Sequence, residues 1–178
     1  MKNTTKMIAM GLFTVSLVIS GATYAQGTSK EKTVTVGGAP MYPSKNIVEN
    51  AVNSKDHTTL VAAVKAAGLV ETLSSAGPFT VFAPTNAAFD KLPAGTVDGL
   101  LKPEKKGDLE NILGYHTYVG SLKAEYMQDG QEFDMVFGGK VKITKKDGKT
   151  FVNGSEIITS IETSNGIIHV INDVLLPK

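Results

Sequence analysis

The sequence predicts an α+β domain, in which a helix-rich first half is followed by a strand-rich second half. Between residues 45 and 115, apolar residues recur at helical spacing and are separated by capping residues and glycines. From residue 117 onward, short apolar segments are separated by Asn-Gly and Asp-Gly pairs, which are typical of tight turns between strands. This segregation favours a β-sandwich with helices packed at one side.

The first 25 residues predict a secretory signal peptide. Lys2 and Lys6 precede an apolar stretch over 7–19, and Thr23-Tyr24-Ala25 supplies small residues at a cleavage site. An uncleaved membrane anchor is the alternative, but the apolar stretch is too short to cross a hydrocarbon layer of about 30 Å as a helix. We therefore expect cleavage before Gln26 and a secreted or periplasmic product without stable membrane insertion.

Composition excludes several classes of protein. Removal of two of the 18 lysines with the leader leaves 16 against 17 acidic residues, a net charge of −1. No strong field attracts nucleic acid or anionic lipid, and arginine, the residue best suited to bidentate phosphate contacts, is absent. Cysteine is absent too, so the chain has neither a disulfide nor a lipobox or nucleophilic cysteine. Without a Gly-x-Ser-x-Gly elbow, the sequence does not predict an enzyme.

The leader is expected to be followed by a flexible segment over 26–44, which is rich in Gly, Pro, Ser and Thr and has at most a stray strand at Thr33–Val36. The folded domain is then expected over 45–178. A short helix is predicted at Ile47–Val52 with Ser44 or Asn46 as its cap. A second helix is predicted to begin at Asp56 as N-cap and to end at Gly68.

The segment Gly77–Phe89 (GPFTVFAPTNAAF) predicts a well-defined corner. Four residues that favour a buried strand precede Pro84, which ends the strand because it cannot donate to a sheet ladder. Thr85 and Asn86 offer side-chain oxygens to the free N–H groups of a new helix turn. Phe89 is expected to anchor that turn in the core.

The remaining elements follow from periodicity. A helix after Pro103 has Leu109, Ile112 and Leu113 on one face and is expected to end at Gly114. The last apolar run is expected to be a central, buried strand. The predicted strands and their hairpin turns are 117–119, 131–137, 140–144, 150–152, 155–161 and 167–176, with turns at Asp147-Gly148, Asn153-Gly154 and Asn165-Gly166.

Three landmarks in order resemble the fasciclin-like domain family over about residues 45–178. Gly77–Phe89 is similar to its first signature, Tyr115-His116 to its tyrosine–histidine motif, and Asn165–Pro177 (NGIIHVINDVLLP) to its closing strand. One position departs from the pattern. Family members often place Asp directly after the His-Val-Ile run, where this chain has Asn172, followed by Asp173.

The resemblance implies a wedge-shaped β-sandwich with a helical layer, and an extracellular role in cell adhesion or matrix association. In animal relatives the tyrosine–histidine region is linked to receptor binding, so Leu113, Tyr115, His116 and Tyr118 are the expected interaction surface. We expect a non-catalytic module that binds an extracellular protein or polysaccharide, without a cofactor or metal. The alternative is a carrier of an apolar lipid or pigment.

The three histidines could serve as metal ligands or as acid/base groups, because histidine titrates near pH 6.5. Their spacing supports neither role, and His116 and His169 are interpreted as structural. His169 lies in an apolar strand, where alternation places it on the face opposite Ile168 and Val170. His57 is expected at the surface.

Other residues leave alternatives open. The lysine run could dock an acidic polysaccharide or keep an edge strand unpaired; it comprises Lys140, Lys142, Lys145, Lys146 and Lys149. A set of Met, Leu and aromatic residues could line an apolar cleft or belong to the core; it comprises Leu122, Tyr126, Met127, Phe133, Met135 and Phe137. Asn153-Gly154-Ser155 matches a glycosylation sequon but is better explained as a turn. Glu125 and Asp129 are interpreted as solvated.

Overall fold

The computed structural model describes residues 32–177. The predicted signal peptide lies outside these residues and stays a prediction. Within them, the helices are α1 (Ile47–Ala51), α2 (Thr58–Ala67), α3 (Val70–Ser74), α4 (Asn86–Phe89), α5 (Thr96–Leu100) and α6 (Lys106–Tyr115). The strands are β1 (Val34–Val36), β2 (Ala39–Met41), β3 (Phe79–Pro84), β4 (Thr117–Val119), β5 (Glu132–Asp134), β6 (Lys140–Lys146), β7 (Lys149–Val152), β8 (Ser155–Thr163) and β9 (Gly166–Ile171).

A seven-stranded mixed sheet has the order β4-β3-β9-β8-β7-β6-β5. The two signature segments pair directly, because β3 and β9 run parallel from Phe79 opposite Gly166 to Pro84 opposite Ile171. The sheet curls towards closure, since the Val136 N–H, after β5, donates to the Thr117 carbonyl in β4 at 3.0 Å. The result is an α+β fold with a sandwich-like sheet and helices, as predicted.

The central strands are buried on both faces, which explains their nearly continuous apolar sequence. One face of β3 and β9 packs on the helices and the other on the curled end of the sheet. The helix-side cluster includes Leu60, Val64, Val81, Ala83, Leu109, Leu113, Ile168 and Val170. The second cluster includes Phe82, Tyr115, Met127, Met135, Val141, Ile143, Val152, Ile171 and Leu175.

The folded part begins earlier than the sequence indicates. β1 and β2 form a hairpin, and its Val36 and Met41 are buried in the helix-side cluster. The Lys55 N–H donates to the Gly37 carbonyl at 3.2 Å, so the hairpin is also tied to the chain before α2. The expected boundary at Lys45 therefore falls after a packed hairpin, and the stray strand expected at Thr33–Val36 is its first strand, Val34–Val36.

The observed helix caps contradict the prediction for α2 and decide between the two residues predicted for α1. Asn46 caps α1 through a reciprocal capping box with Glu49, both bonds being 2.8 Å. Asp56 does not cap α2, because it lies inside a 3₁₀ turn, Lys55–His57. Asn86 from α4 does so instead, accepting from the Thr59 N–H at 3.1 Å and donating to the Lys55 carbonyl at 2.8 Å.

The corner after β3 is built as the sequence predicts. β3 ends at Pro84, and the Thr85 hydroxyl accepts from the Ala88 N–H at 3.3 Å at the start of α4. Phe89 is half-buried and packs against the helix-side cluster. Asn86 is the exception, since its amide joins the corner to α2 and does not cap its own helix.

Asn165, in the turn before β9, makes several polar contacts at the start of that strand. Its Oδ1 accepts from the Ile47 N–H at 3.0 Å, and its Nδ2 donates to the carbonyls of Leu73 and Ser75, both at 2.8 Å. Its backbone carbonyl accepts from the Phe79 N–H at 3.0 Å. One turn residue therefore holds α1, α3 and the start of β3 together.

Candidate functional site

Tyr115 is the last residue of α6, and its side chain is buried. Its hydroxyl donates to the Lys140 carbonyl at 2.7 Å and accepts from Asn153 Nδ2 at 2.9 Å. A Cβ on Gly139 would lie 2.7 Å from the tyrosine ring, so glycine is needed for this close approach. The ring therefore ties the end of α6, one residue beyond the expected end at Gly114, to β6 and to the turn after β7.

His116 joins three parts of the chain from a position that is 2% exposed. Its Nδ1 donates to the Ile112 carbonyl at 2.8 Å, and its Nε2 accepts from the Leu175 N–H at 2.9 Å. These partners require the neutral ring with its proton on Nδ1. Burial lowers the pKa of His116 to about 4, against the smaller opposing effect of the Ile112 carbonyl.

The four residues of the expected interaction surface differ in exposure. Leu113, Tyr115 and His116 are buried, while Tyr118 is half-buried with its ring edge-on to Phe133 at 5.4 Å between centroids. Leu113, Tyr115 and His116 therefore offer little surface to a partner in the folded protein. The role of the region in binding stays a prediction, and the exposed residues next to the motif would have to make the contacts.

An open cleft of about 570 Å³ lies beside the Tyr115 ring, and we call it the Tyr115 cleft. It brings together residues from α6, β5, the β5–β6 turn, β6, the turn after β7 and the C-terminal segment, residues 172–177. The lining residues are Asn111, Tyr115, Glu132, Phe137, Gly138, Gly139, Lys140, Lys142, Asn153 and Pro177.

Phe137 forms one wall of the cleft and is 53% exposed. Its ring rests on Gly114, where an added Cβ would overlap the ring. The turn that carries it is closed by two backbone bonds of 3.0 Å between Met135 and the glycines that follow. This turn explains why β5 ends at Asp134 and not at Phe137, as the sequence indicates. Phe137 is thus an exposed ring on a fixed support.

His169 is fully buried between two partners. Its Nε2 donates to the Leu122 carbonyl at 2.7 Å, which leaves Nδ1 to accept from the Ser160 hydroxyl at 2.7 Å. Burial lowers its pKa to about 4. The Ser160 hydroxyl and His169 resemble a nucleophile and its base. However, the Leu122 carbonyl occupies the position in which a carboxylate would stabilise the imidazolium of a catalytic triad. The ring also stacks on Phe82 at 5.4 Å, so the structural interpretation of His169 fits this environment.

His57 was expected at the surface, and this prediction is wrong. The 3₁₀ turn before α2 directs it inward, where it is 1% exposed and its Nδ1 lies 2.9 Å from Ser54 Oγ. No group among residues 32–177 forms a hydrogen bond with its Nε2. Burial lowers its pKa, opposed by the Asp56 charge and the Ala83 carbonyl.

Among residues 32–177, no group of three or more His, Asp or Glu side chains could hold a metal ion. Asp129 serves the fold, because it accepts from the Lys145 N–H at 2.7 Å. No helix in the same range is long and apolar enough to cross a membrane.

Lys140 and Lys142 point outward along β6, as alternation predicts, and the other lysines of the run are also exposed. β6 pairs with β5 and β7, so protection of an edge strand does not explain these lysines. Lys140 lies 3.8 Å from carboxylate oxygens of both Glu132 and Asp134, and Lys149 lies 2.8 Å from Glu156. Lys142 lines the Tyr115 cleft, and the described residues include no ion-pair partner for it.

The Met and aromatic set is divided between core and surface. Met127 and Met135 are core residues, and Leu122 and Phe133 pack against them, whereas Tyr126 and Phe137 are exposed. A separate apolar crevice lies between α2, α5, α6 and the C-terminal segment. It has about 20 Å³ of free space, room for about one water molecule.

The polar residues of the last turns have structural partners. Asn153 adopts a positive φ of 48° in its turn, and its Oδ1 accepts from the Lys142 N–H at 2.8 Å. Asn172 Oδ1 accepts from the Glu156 N–H at 2.9 Å, so this position needs an acceptor oxygen but no charge. Asp173 supplies a charge one residue later, 2.7 Å from Lys91.

These features define a class of domain: a curled mixed sheet whose two parallel central strands carry the signature segments, with a buried tyrosine–histidine pair at the end of a helix. Comparison with known proteins agrees. A family model for the fasciclin domain matches residues 55–177. A solved FAS1 domain pair from the insect cell adhesion molecule Fasciclin I matches with a TM-score of 0.64 and 16% identity, over 80% of this chain and 57% of that chain, which shows the fold.

Several relatives are similar in sequence. Protein sll1483 of Synechocystis is 45% identical over 170 residues, 95% of this chain and 90% of that protein. Immunogenic protein MPB70 of Mycobacterium bovis is 35% identical over 133 residues, 71% of this chain and 66% of that protein. Human periostin is 32% identical over 124 residues, 68% of this chain and 15% of that protein. The chain belongs to the fasciclin domain family.

Proposed function

We propose that this protein is a secreted, non-catalytic adhesion module that binds an extracellular protein or polysaccharide of the cell envelope or matrix. The observation that carries the proposal is the Tyr115 cleft, which is lined by the exposed ring of Phe137, the side chains of Asn111 and Lys142 and the buried Tyr115 ring. A preformed cleft with one apolar wall and several polar groups is suited to recognition. The structural likeness to an insect cell adhesion molecule supports the same class of role.

The chemistry of the histidines supports a binding role over catalysis. Both ring nitrogens of His116 and of His169 already have partners, and the lowered pKa values of about 4 leave these rings as weak bases at neutral pH. The groups that line the Tyr115 cleft include no hydroxyl activated by a base, since the Tyr115 hydroxyl donates to a backbone carbonyl.

Co-sedimentation of the purified protein with isolated cell envelopes tests the proposal. The double variant Phe137→Ala/Lys142→Gln should bind about tenfold more weakly, because a central aromatic anchor contributes much of the energy of an interface. Tyr126→Ala is the matched control, since Tyr126 is 74% exposed and lies outside the cleft. Absence of wild-type binding, or equal binding by the double variant, would contradict the proposal.

Carriage of an apolar lipid or pigment is the second candidate, and the apolar crevice beside α6 is the feature that favours it. Its lining is wholly apolar apart from His116. Ligand sites of this kind usually enclose about 300–1,000 Å³, so the crevice would have to open between its helices. Organic extraction of the purified protein followed by mass spectrometry tests this candidate. A stoichiometric apolar compound would favour it, and an empty protein that binds envelopes would favour adhesion.

A further inference from the structure

The wall of the Tyr115 cleft is suited to a sugar ring. Phe137 has one face on Gly114 and about half of its surface in solvent. Sugar rings present C–H groups on their faces and hydroxyls around their edges, so they match an aromatic face with polar groups beside it. Asn111 and Asn153 place amides on the rim of the cleft.

The charge of the cleft is set by Lys142. The Lys140 ammonium is already close to two carboxylates, at 3.8 Å from each. Lys142 has no such partner among the described residues, and its neighbours Val141 and Ile143 are fully buried, so alternation directs Lys142 to the outer face. Its backbone N–H is fixed by Asn153. The Glu132 carboxylate also lines the cleft, opposite Lys142 in the register, but it lies 3.8 Å from the Lys140 ammonium. The Lys142 ammonium, unpaired among the described residues and next to an aromatic wall, therefore favours a ligand with a carboxylate.

The mature protein is close to neutral overall, so it does not attract anions over long distances. Recognition of an anionic ligand therefore depends on local contacts in the cleft. An open cleft can accept an internal segment of a polymer, since no chain end has to fit. We propose that the Tyr115 cleft binds an acidic polysaccharide built from uronic acids, with a sugar ring on Phe137 and a carboxylate at Lys142. This inference rests on the proposed function and names its ligand class.

Calorimetric titration with an oligogalacturonate tests the inference, with a neutral malto-oligosaccharide of equal length as the comparison. We expect binding of the acidic oligosaccharide alone, weakening as salt rises. Lys142→Gln should weaken it about threefold, the effect of one exposed ion pair, and Phe137→Ala about tenfold. Lys142→Gln changes an exposed side chain, so it tests the site even if Phe137→Ala disturbs the fold.

Lys146→Gln is the matched control for the lysine. Lys146 lies on the same strand and face as Lys142, about 13 Å further along, and does not line the cleft. Equal loss in the two lysine variants, equal binding of the neutral oligosaccharide, or no binding of the acidic one would overturn the inference. If envelopes bind through the cleft while oligogalacturonate does not, the ligand class is wrong and the adhesion proposal stands. If neither binds, both fail.

Discussion

Replacing His116 with phenylalanine removes both hydrogen bonds of the buried ring while filling a similar space. The Leu175 N–H, now 2.9 Å from His116 Nε2, would lose its partner inside the protein. The Ile112 carbonyl would keep its bond from the backbone N–H of residue 116, at 3.2 Å. An unsatisfied buried donor costs about 1–3 kcal/mol, so we expect His116→Phe to lower the free energy of unfolding by about 2 kcal/mol at pH 7.

The stability difference between wild type and His116→Phe should become smaller as pH falls. Burial lowers the pKa of His116 in the folded protein to about 4, from an ordinary value of 6.5. As pH falls from 6.5 to 4, the unfolded chain binds a proton that the folded protein does not, so the wild type loses stability over this window. At about 1.4 kcal/mol per pKa unit, the total loss from His116 is about 3 kcal/mol. The variant lacks this loss, so the unfolding free energies of the two proteins, plotted against pH, should cross at about pH 5.

Urea unfolding of both proteins between pH 7.5 and 4.5 measures the crossing. The variant should remain partly acid-sensitive, because the pKa of His169 is also lowered to about 4 by burial. Lys91→Gln is the control, since it breaks the exposed 2.7 Å ion pair with Asp173 at the start of the C-terminal segment. It should cost at most about 1 kcal/mol. A difference between His116→Phe and wild type that stays constant with pH would refute the reasoning.

Three further substitutions test the fold around the site. Asn165→Ala should lower the free energy of unfolding by about 3 kcal/mol, because two buried backbone groups and one partly buried backbone group lose their partner. A loss below about 1 kcal/mol in urea would contradict this. Asn172→Asp should change the free energy of unfolding by less than about 1 kcal/mol at pH 7, since either side chain offers an oxygen to the Glu156 N–H. Thermal unfolding measures this change, and a large loss of stability would show that the amide itself is required. Tyr115→Phe should lower the free energy of unfolding by about 1–2 kcal/mol, because both hydrogen bonds of the hydroxyl are lost. Its oligogalacturonate binding should be nearly unchanged, and lost binding in a folded variant would place the hydroxyl in the site.

The elements that depend on local sequence were predictable. Pro84 ends β3, Thr85 caps α4 and Gly68 ends α2 in the left-handed conformation, with φ at 74°. Each of these results follows from the conformational preference or hydrogen-bonding capacity of the residue itself. The apolar run of β9 likewise indicated a central strand, because only a strand buried on both faces needs apolar residues on both sides.

Burial of polar residues was harder to predict. His57 follows a polar stretch, and the inward direction of its ring depends on the 3₁₀ turn and on Ser54. The cleft was only partly visible in the sequence. Phe137 and Lys142 each belong to a set that suggested binding, but Asn111 gave no signal, because it approaches them only when α6 packs beside β6.

The sequence by itself determined the order of elements from residue 45 onward and the two signature strands, because these depend on periodicity and on residues with special backbone conformations. The resemblance of its motifs indicated a fasciclin-like class. Tertiary structure alone decided that Tyr115 and His116 are buried supports and that Phe137 is accessible beside Lys142. Exposure is a property of packing between segments far apart in the chain. No local pattern records that the C-terminal segment covers His116 or that Gly114 makes room for Phe137.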